Sequence, residues 1–201
     1  MKQSNHEKVA RLTGLALLTA IVAVLQLFGT GLHIGPIPFS LVLTPIVIGA
    51  IVYGPLAGAW LGAAFGLIAL LGGVSGTDWF TAFLWNASPF WTAATCLLKG
   101  ALAGLVSGLV YRALEKRMNL ACVAAALCCP VVNTGIFALA MLTVLHERLL
   151  AFMSEQALPG DAVTYLFTGM IGVNFFVELG LNAILSAAIA RIVKAVLQKR
   201  R

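Results

Sequence analysis

Long apolar segments separated by short polar stretches set the first expectation about the fold of this sequence. Six such segments can be marked, at residues 12–30, 39–53, 55–74, 89–111, 120–145 and 165–192. A helix of about 20 apolar residues crosses the hydrocarbon core of a bilayer. The pattern therefore predicts an all-α integral membrane protein with six transmembrane helices, forming one domain over residues 1–201.

A tight turn is expected between the second and third segments, where Tyr53, Gly54 and Pro55 stand in sequence. Proline fits the first turn of a helix, because its missing N–H leaves no helical hydrogen bond unmade there. The third helix is therefore expected to begin at Pro55, directly after the shortest of the six segments.

The composition excludes a water-soluble globular domain. Hydrophobic residues make up 61% of the chain and charged residues only 10%, whereas soluble domains average about 45–50% and about 25%. A fold that faces water could not bury so much apolar surface, so the composition agrees with a lipid environment.

The positions of the basic residues predict the orientation in the membrane. Most of the 13 lysines and arginines fall before the first segment, between the fourth and fifth, and after the sixth. Basic loops stay on the cytoplasmic side, so both termini are predicted to be cytoplasmic. The net charge of +6 then reflects topology and contact with anionic lipid, and nucleic-acid binding is not expected.

Small residues recur every four positions in the third and fourth segments, a spacing that lets helix backbones approach closely in a membrane. The members of this pattern are Gly54, Gly58, Gly62, Gly66, Gly100, Gly104 and Gly108. A weaker stripe of alanines, Ala16, Ala20 and Ala23, lies in the first segment. Both patterns predict helix packing surfaces.

The four cysteines, Cys96, Cys122, Cys128 and Cys129, lie inside apolar segments and form no CxxC motif. They are therefore expected to be small core residues, with neither a metal site nor a disulfide framework.

Two charged residues interrupt the apolar segments at matching depth. Lys99 precedes Arg112 by 13 residues, and Glu178 precedes Arg191 by 13. At about 1.5 Å per residue, both lie about 20 Å above their cytoplasmic anchors. A charge near mid-bilayer costs at least about 2.5–3.5 kcal/mol. Either the two residues form a structural clamp, or they line a pocket whose ligand carries a carboxylate.

Amides and a hydroxyl are found at similar depth. Asn133 and Thr134 follow Pro130 in the fifth segment, and Asn174 shares a helical face with Glu178 and with Asn182. The polar groups of the fifth segment could satisfy a carbonyl freed by the proline, or they could hydrogen-bond a ligand. Both interpretations stay open at the level of the sequence.

The connections on the side opposite the termini are longer than turns and carry further candidates. The aromatic connection around residues 79–91 includes Trp85 and Asn86, and His33 lies in the first connection. Aromatic residues often form interfacial belts, so these side chains either anchor the helices or cover an apolar face of a ligand.

Motifs of the common catalytic and nucleotide-binding sites do not occur. The sequence has no GxxxxGK[ST], no HExxH and no G-x-S-x-G. We therefore expect no enzymatic activity, cofactor or metal. If transport by this chain requires ATP, another protein must hydrolyse it.

The sequence resembles the substrate-binding S components of energy-coupling factor (ECF) vitamin transporters. The resemblance rests on the length, the six segments, the alanine stripe, "GPIPFSLVLTPIVIGAIVYGPLAGAWLGAAFG" and "PVVNTGIFALAM". It implies six helices that bind one small vitamin-like molecule near the outer face of the bacterial cytoplasmic membrane. It also implies a complex with a coupling membrane subunit, docked against Ala16 and Ala20, and with two cytoplasmic ATPases.

The fifth segment is most similar to the pantothenate-type members of the family. The resemblance therefore implies an importer for pantothenate, with Lys99, Asn133, Thr134, Asn174, Glu178, Trp85, Asn86 and His33 as candidate ligand contacts. A folate or riboflavin is the alternative ligand. A stand-alone carrier and an integral membrane enzyme with Lys99 and Glu178 as an acid–base pair are the alternatives of another class.

Overall fold

A computed structural model describes the backbone of residues 5–29, 33–34, 37–38 and 41–198, and side chains within residues 7–29 and 41–192. Apart from a two-stranded hairpin with His33 opposite Pro38, the secondary structure of these residues is helical. The elements are α1 (Asn5–Gly29), β1 (His33–Ile34), β2 (Ile37–Pro38), α2 (Leu43–Tyr53), α3 (Pro55–Ser75), α4 (Trp79–Ala87), α5 (Pro89–Ala113), α6 (Met118–Leu142), α7 (His146–Glu155), α8 (Ala162–Thr164), a π-helical segment (Tyr165–Gly172) and α9 (Val173–Gln198).

Within the described residues, five helical stretches are long and apolar enough to cross a membrane, which confirms the prediction of a helical membrane protein. They are Glu7–Gly29, Pro55–Ser75, Pro89–Ala113, Met118–Leu142 and Ala162–Ile192. The second predicted segment, residues 39–53, contains only the 11-residue helix α2. At about 1.5 Å per residue, α2 is about half as long as the hydrocarbon core is thick, so its length alone does not make it a span.

The turn between α2 and α3 has the predicted form. Tyr53 ends α2 and Pro55 begins α3, while Gly54 between them adopts a φ of 100°. Side chains rarely tolerate a positive φ of this size, so glycine is suited to this position.

Close contact between α3 and α5 confirms the role predicted for the glycine stripes. A Cβ atom added at Gly58 would overlap the carbonyl oxygen of Gly104, and one at Gly62 would overlap that of Gly100. A Cβ at Gly66 would likewise overlap the carbonyl oxygen of Cys96. The two helices therefore pack antiparallel with backbone against backbone, as small residues permit in lipid. We call this contact the glycine seam.

Two of the connections between the predicted spans contain short helices. Residues 75–88 include α4, whose N-cap Asp78 accepts hydrogen bonds from the backbone N–H of Thr81 (3.2 Å) and from its hydroxyl (2.6 Å). Residues 146–164 include α7, which buries Leu149, Phe152 and Met153 on one face. Capping stabilises α4 and the narrow apolar face stabilises α7, although neither stretch has the long apolar run used to mark spans.

The aromatic side chains of the α4 region divide between the core and the surface. Phe152 of α7 is 2% exposed, and its ring centroid lies 5.2–5.5 Å from those of Trp79, Phe80 and Phe83. Phe90, by contrast, is 73% exposed. The expectation of an interfacial belt therefore describes only part of this set, because Phe80 belongs to a packed core between α4 and α7.

Candidate functional site

A cavity lies between α5, α6, the π-helical segment and α9. Five of the predicted site residues line it together, which are Lys99, Asn133, Thr134, Asn174 and Glu178. Among the described residues, the remaining wall consists of Phe137, Met170, Ile171 and Phe175. The structure thus brings together polar residues from three separate apolar segments, as the depths of Lys99 and Glu178 suggested.

Helical periodicity explains which side chains reach the cavity. Met170, Asn174 and Glu178 are spaced by four, so successive turns of one face contribute them. Asn133 and Phe137 are related in the same way on α6. Sequence reasoning identified the polar members of these faces and missed the apolar ones. The four-residue spacing from Asn133 was the signal that could have pointed to Phe137.

The cavity is narrow in this conformation, with a volume of about 60 Å³. That space holds a few water molecules, whereas pockets for organic ligands occupy about 300–1,000 Å³. An apolar groove of about 310 Å³ adjoins it, and the two spaces share Thr134, Ile171 and Phe175 as walls. Movement of the latter two side chains would join the spaces.

The ammonium group of Lys99 lies over two aromatic rings. Its Nζ atom is 5.8 Å from the ring centroid of Phe65 and 5.4 Å from that of Phe137. Both distances fall within the range of about 6 Å in which a ring face attracts a cation. The rings therefore stabilise a charged lysine at the cavity wall.

Asn133 presents a hydrogen-bond acceptor that the described residues do not use. Its side chain is 8% exposed, and its buried Oδ1 atom accepts no hydrogen bond within the described part of the chain. A buried acceptor without a donor costs about 1–3 kcal/mol. A hydroxyl or N–H group that entered the cavity would remove this cost.

The polar face of α9 continues beyond the cavity toward the C-terminal end of the helix. Asn174, Glu178, Asn182 and Ser186 are spaced by four and are each no more than 7% exposed. Asn182 donates from Nδ2 to the backbone carbonyl of Glu178 at 2.9 Å, and its Oδ1 accepts from the hydroxyl of Thr44 at 3.4 Å. The predicted shared face is confirmed, and its lower part links α9 to α2.

A family model for the substrate-specific component of ECF transporters matches residues 10–190. The chain belongs to this family. Comparison with individually curated proteins gives no match.

Membership in the ECF family establishes the general role of the chain. As the substrate-specific component, it is a transporter subunit and not an enzyme, and it associates in the membrane with coupling and ATPase subunits. The five long apolar helices agree with a multi-pass membrane protein.

Two predicted contacts of this S component, Trp85 and Asn86, are not among the residues that line the cavity. Trp85 is half-buried and Asn86 is exposed, both on α4. His33 belongs to β1, and its side chain lies outside the described residues. A role for these three residues in ligand binding stays a prediction.

The predicted docking residues Ala16 and Ala20 line an apolar groove of about 670 Å³. Its other walls are Leu12, Leu15, Thr19, Ala23 and Trp60. Trp60 belongs to α3, is 62% exposed and donates from its indole N–H to the hydroxyl of Thr19 at 3.4 Å. The groove therefore extends across α1 onto α3, which the alanine stripe alone did not indicate.

Proposed function

We propose that this S component is the high-affinity binding subunit of an ATP-driven importer for a small water-soluble vitamin that carries a carboxylate, with pantothenate as the candidate. The single observation that supports this assignment most is the meeting of Lys99, Asn133 and Glu178 in one cavity. These residues supply a cation and two kinds of hydrogen-bonding group at a depth where polar groups are costly.

The lining specifies complementary chemistry in the ligand. The Lys99 ammonium would bind the carboxylate, while Asn133 Oδ1 and the Glu178 carboxylate would accept hydrogen bonds from hydroxyl or amide N–H groups. Pantothenate has a carboxylate at one end and two hydroxyls and an amide elsewhere, so it meets both requirements. A folate also has carboxylates, whereas riboflavin has none to place against Lys99.

Binding of such a ligand requires the cavity to widen. Ile171 belongs to the π-helical segment, and π-helical turns are rare and are found often at functional sites. Displacement of Ile171 and Phe175 would add the adjoining groove to the cavity. The combined space would reach the lower part of the range for organic ligands.

Native mass spectrometry of the gently purified chain tests the ligand assignment, because a retained vitamin would be weighed directly. Titration with pantothenate, a folate and riboflavin then ranks their affinities. We expect the tightest binding for pantothenate. Tightest binding of riboflavin would contradict the role given to Lys99, and turnover of the ligand by the chain alone would indicate an enzyme instead.

We further propose that α2 completes a set of six spans, with both termini in the cytoplasm and the cavity near the outer face. The distribution of basic residues supports this orientation. A cysteine introduced at the exposed Gln156 should react with a membrane-impermeant reagent added outside, and one introduced at the exposed Lys116 should not. Reversed labelling would overturn the orientation.

The groove around Ala16 and Ala20 is proposed as the docking face for the coupling subunit. In Ala20→Trp, an indole would fill this groove, so assembly with the coupling and ATPase subunits should be lost while ligand binding is kept. Ala187→Trp is the matched control, because Ala187 is also exposed but lies on α9. Equal assembly of both variants, or uptake into proteoliposomes by this chain alone, would argue against the docking proposal.

A further inference from the structure

The two phenylalanines beside Lys99 come from different helices. Phe65 lies on α3 and is 4% exposed, while Phe137 lies on α6 and lines the cavity. Lys99 itself belongs to α5. Three helices thus converge on one ammonium group.

The glycine seam sets the position of Phe65. A Cβ atom added at Gly100, the residue after Lys99, would lie 3.0 Å from the Cδ1 atom of Phe65 and would overlap the carbonyl of Gly62. A larger residue at position 100 would therefore force α3 away from α5. The close approach that glycine permits is what brings the Phe65 ring beneath the lysine.

Aromatic rings stabilise an ammonium in a different way from a carboxylate. The negative face of the ring attracts the cation by its quadrupole and carries no net charge. The two rings therefore attract the half-buried Lys99 ammonium without neutralising its charge. An anion that enters the cavity meets a cation whose position two ring faces already restrict.

We propose that Phe65 and Phe137 are positioning residues of an anion subsite, which hold the Lys99 ammonium so that the cavity selects a ligand carboxylate over a neutral group. The proposal deepens the function proposed above and rests on it for the identity of the ligand. The rings themselves need not touch the ligand, because they act through the lysine.

A measurement without ligand tests the arrangement itself. Aromatic rings shift the NMR signals of nuclei above their faces upfield. The ¹³Cε–Hε signal of Lys99 is identified by its disappearance in Lys99→Met. It should lie upfield of the corresponding signals of the other lysines. Phe137→Leu should move it back toward them, and Phe137→Trp should leave it upfield. Phe83→Leu is the matched control, because that ring packs on Phe152 instead. An unchanged signal in both Phe137→Leu and Phe65→Leu would overturn the proposal.

A binding measurement tests the selectivity, using pantothenate and the neutral alcohol analogue in which CH₂OH replaces the carboxylate. We expect the wild-type chain to prefer the acid at least tenfold. Phe137→Leu should reduce this preference severalfold, whereas Phe137→Trp should keep it. Adding Phe137→Leu to Lys99→Met should not change the preference of the Lys99→Met variant any further.

The outcomes separate the subsite from the ligand assignment. Equal weakening of both compounds by Phe137→Leu would make the ring an ordinary wall of the cavity and overturn the proposal. If the wild-type chain binds neither compound, the pantothenate assignment is wrong. The NMR measurement then tests the anion subsite alone, and an unchanged Lys99 signal in both leucine variants would overturn it.

Discussion

The glycine seam joins α3 to α5, and the cavity lies between α5, α6, the π-helical segment and α9. The two regions show two different ways of joining helices. In the seam, Gly62 and Gly100 leave no room for even a Cβ atom between the backbones. At the cavity, Asn133 of α6 and Glu178 of α9 place polar side chains around a space of about 60 Å³ between the helices. One contact depends on the absence of side chains, and the other on their chemistry.

The difference follows from the solvent. Lipid is as apolar as a leucine side chain, so apolar contact alone gives helices little reason to associate, and close packing must supply the stability. A buried polar group weakens a contact unless a partner satisfies it. The seam can therefore serve as a rigid support, while the polar contact retains the Asn133 Oδ1 acceptor, which a ligand could satisfy.

The largest expected effect is loss of the fold when the seam is filled. In Gly62→Leu, a side chain must displace the backbone carbonyl of Gly100, which cannot move aside as a flexible side chain could. Overpacking commonly costs about 1–3 kcal/mol of stability and sometimes more. We therefore expect the free energy of unfolding to fall by at least about 3 kcal/mol, as measured by denaturant titration in detergent.

Gly180→Leu is the matched control for the seam, since a Cβ atom at Gly180 meets nothing within 4 Å. This variant should fold and bind as the wild type does. Equal stability of the Gly62 and Gly180 variants would contradict the view that the glycine seam is a rigid contact between α3 and α5.

The next effect concerns binding at the cavity. Lys99→Ala would leave the ligand carboxylate without its cation, and removing one partner of a buried charge pair typically costs about 3–5 kcal/mol. With about 1.4 kcal/mol for each factor of ten, the dissociation constant should rise at least about a hundredfold. Lys99→Arg should weaken binding less, because it keeps the charge but changes its geometry.

A double variant distinguishes a ligand contact from a structural clamp. If Lys99 and Glu178 only neutralise each other, Lys99→Met with Glu178→Leu should fold and bind normally. Near-normal ligand affinity in that double variant would mean that Lys99 and Glu178 form a structural clamp and that the cavity is not the binding site. Calorimetry of the purified chain provides the measurement for all three variants.

A smaller effect separates polar groups with partners from those without. The Ser107 hydroxyl donates to the Ala125 carbonyl at 2.8 Å and joins α5 to α6. Ser107→Ala should lower stability by about 0.5–1.5 kcal/mol and leave ligand affinity unchanged.

Asn133→Leu should do the opposite, because the Oδ1 atom of Asn133 accepts no hydrogen bond from the described residues. We expect unchanged or higher stability and an affinity at least about tenfold lower, if the ligand supplies the missing donor. A loss of stability without a loss of affinity would instead assign Asn133 to the scaffold.

The features that were predictable from the sequence are those that the membrane dictates directly. Residues 55–74 were expected to form a span, and α3 covers Pro55–Ser75. The period-four glycines predicted a close contact, and the matched depths of Lys99 and Glu178 placed both at one cavity. Segment length, residue size and depth are local or additive properties, so a single sequence reveals them.

The features that were missed depend on contacts between distant segments. Helix α7 is only ten residues long and buries Phe152 against α4, so no long apolar run announced it. The aromatic neighbours of Lys99 come from positions 65 and 137, and no sequence spacing relates either position to residue 99. The π-helical segment from Tyr165 to Gly172 also has no composition that distinguishes it from an ordinary helix.

The smallest expected effect is a pH dependence at the start of the helix that carries the polar face. Asp161 caps α8, and its Oδ2 atom accepts from the backbone N–H of Thr164 at 3.1 Å. Hydrogen bonding from the Thr164 side chain, followed by that from its backbone, lowers the pKa of Asp161 below the ordinary value. The folded state therefore binds this proton less readily than the unfolded chain does.

The direction of the effect follows from linkage. A lowered carboxyl pKa contributes stability that is present above the unfolded pKa of about 3.9 and is lost as the pH falls through the folded value. Below about pH 4, amide exchange at Val163 and Thr164, corrected for intrinsic rates, should therefore speed up while amides of the glycine seam keep their protection. Asp161→Asn keeps a capping side chain that does not titrate, so its exchange at these amides should show no such change. Equal acceleration in both proteins would mean that another group controls the start of this helix.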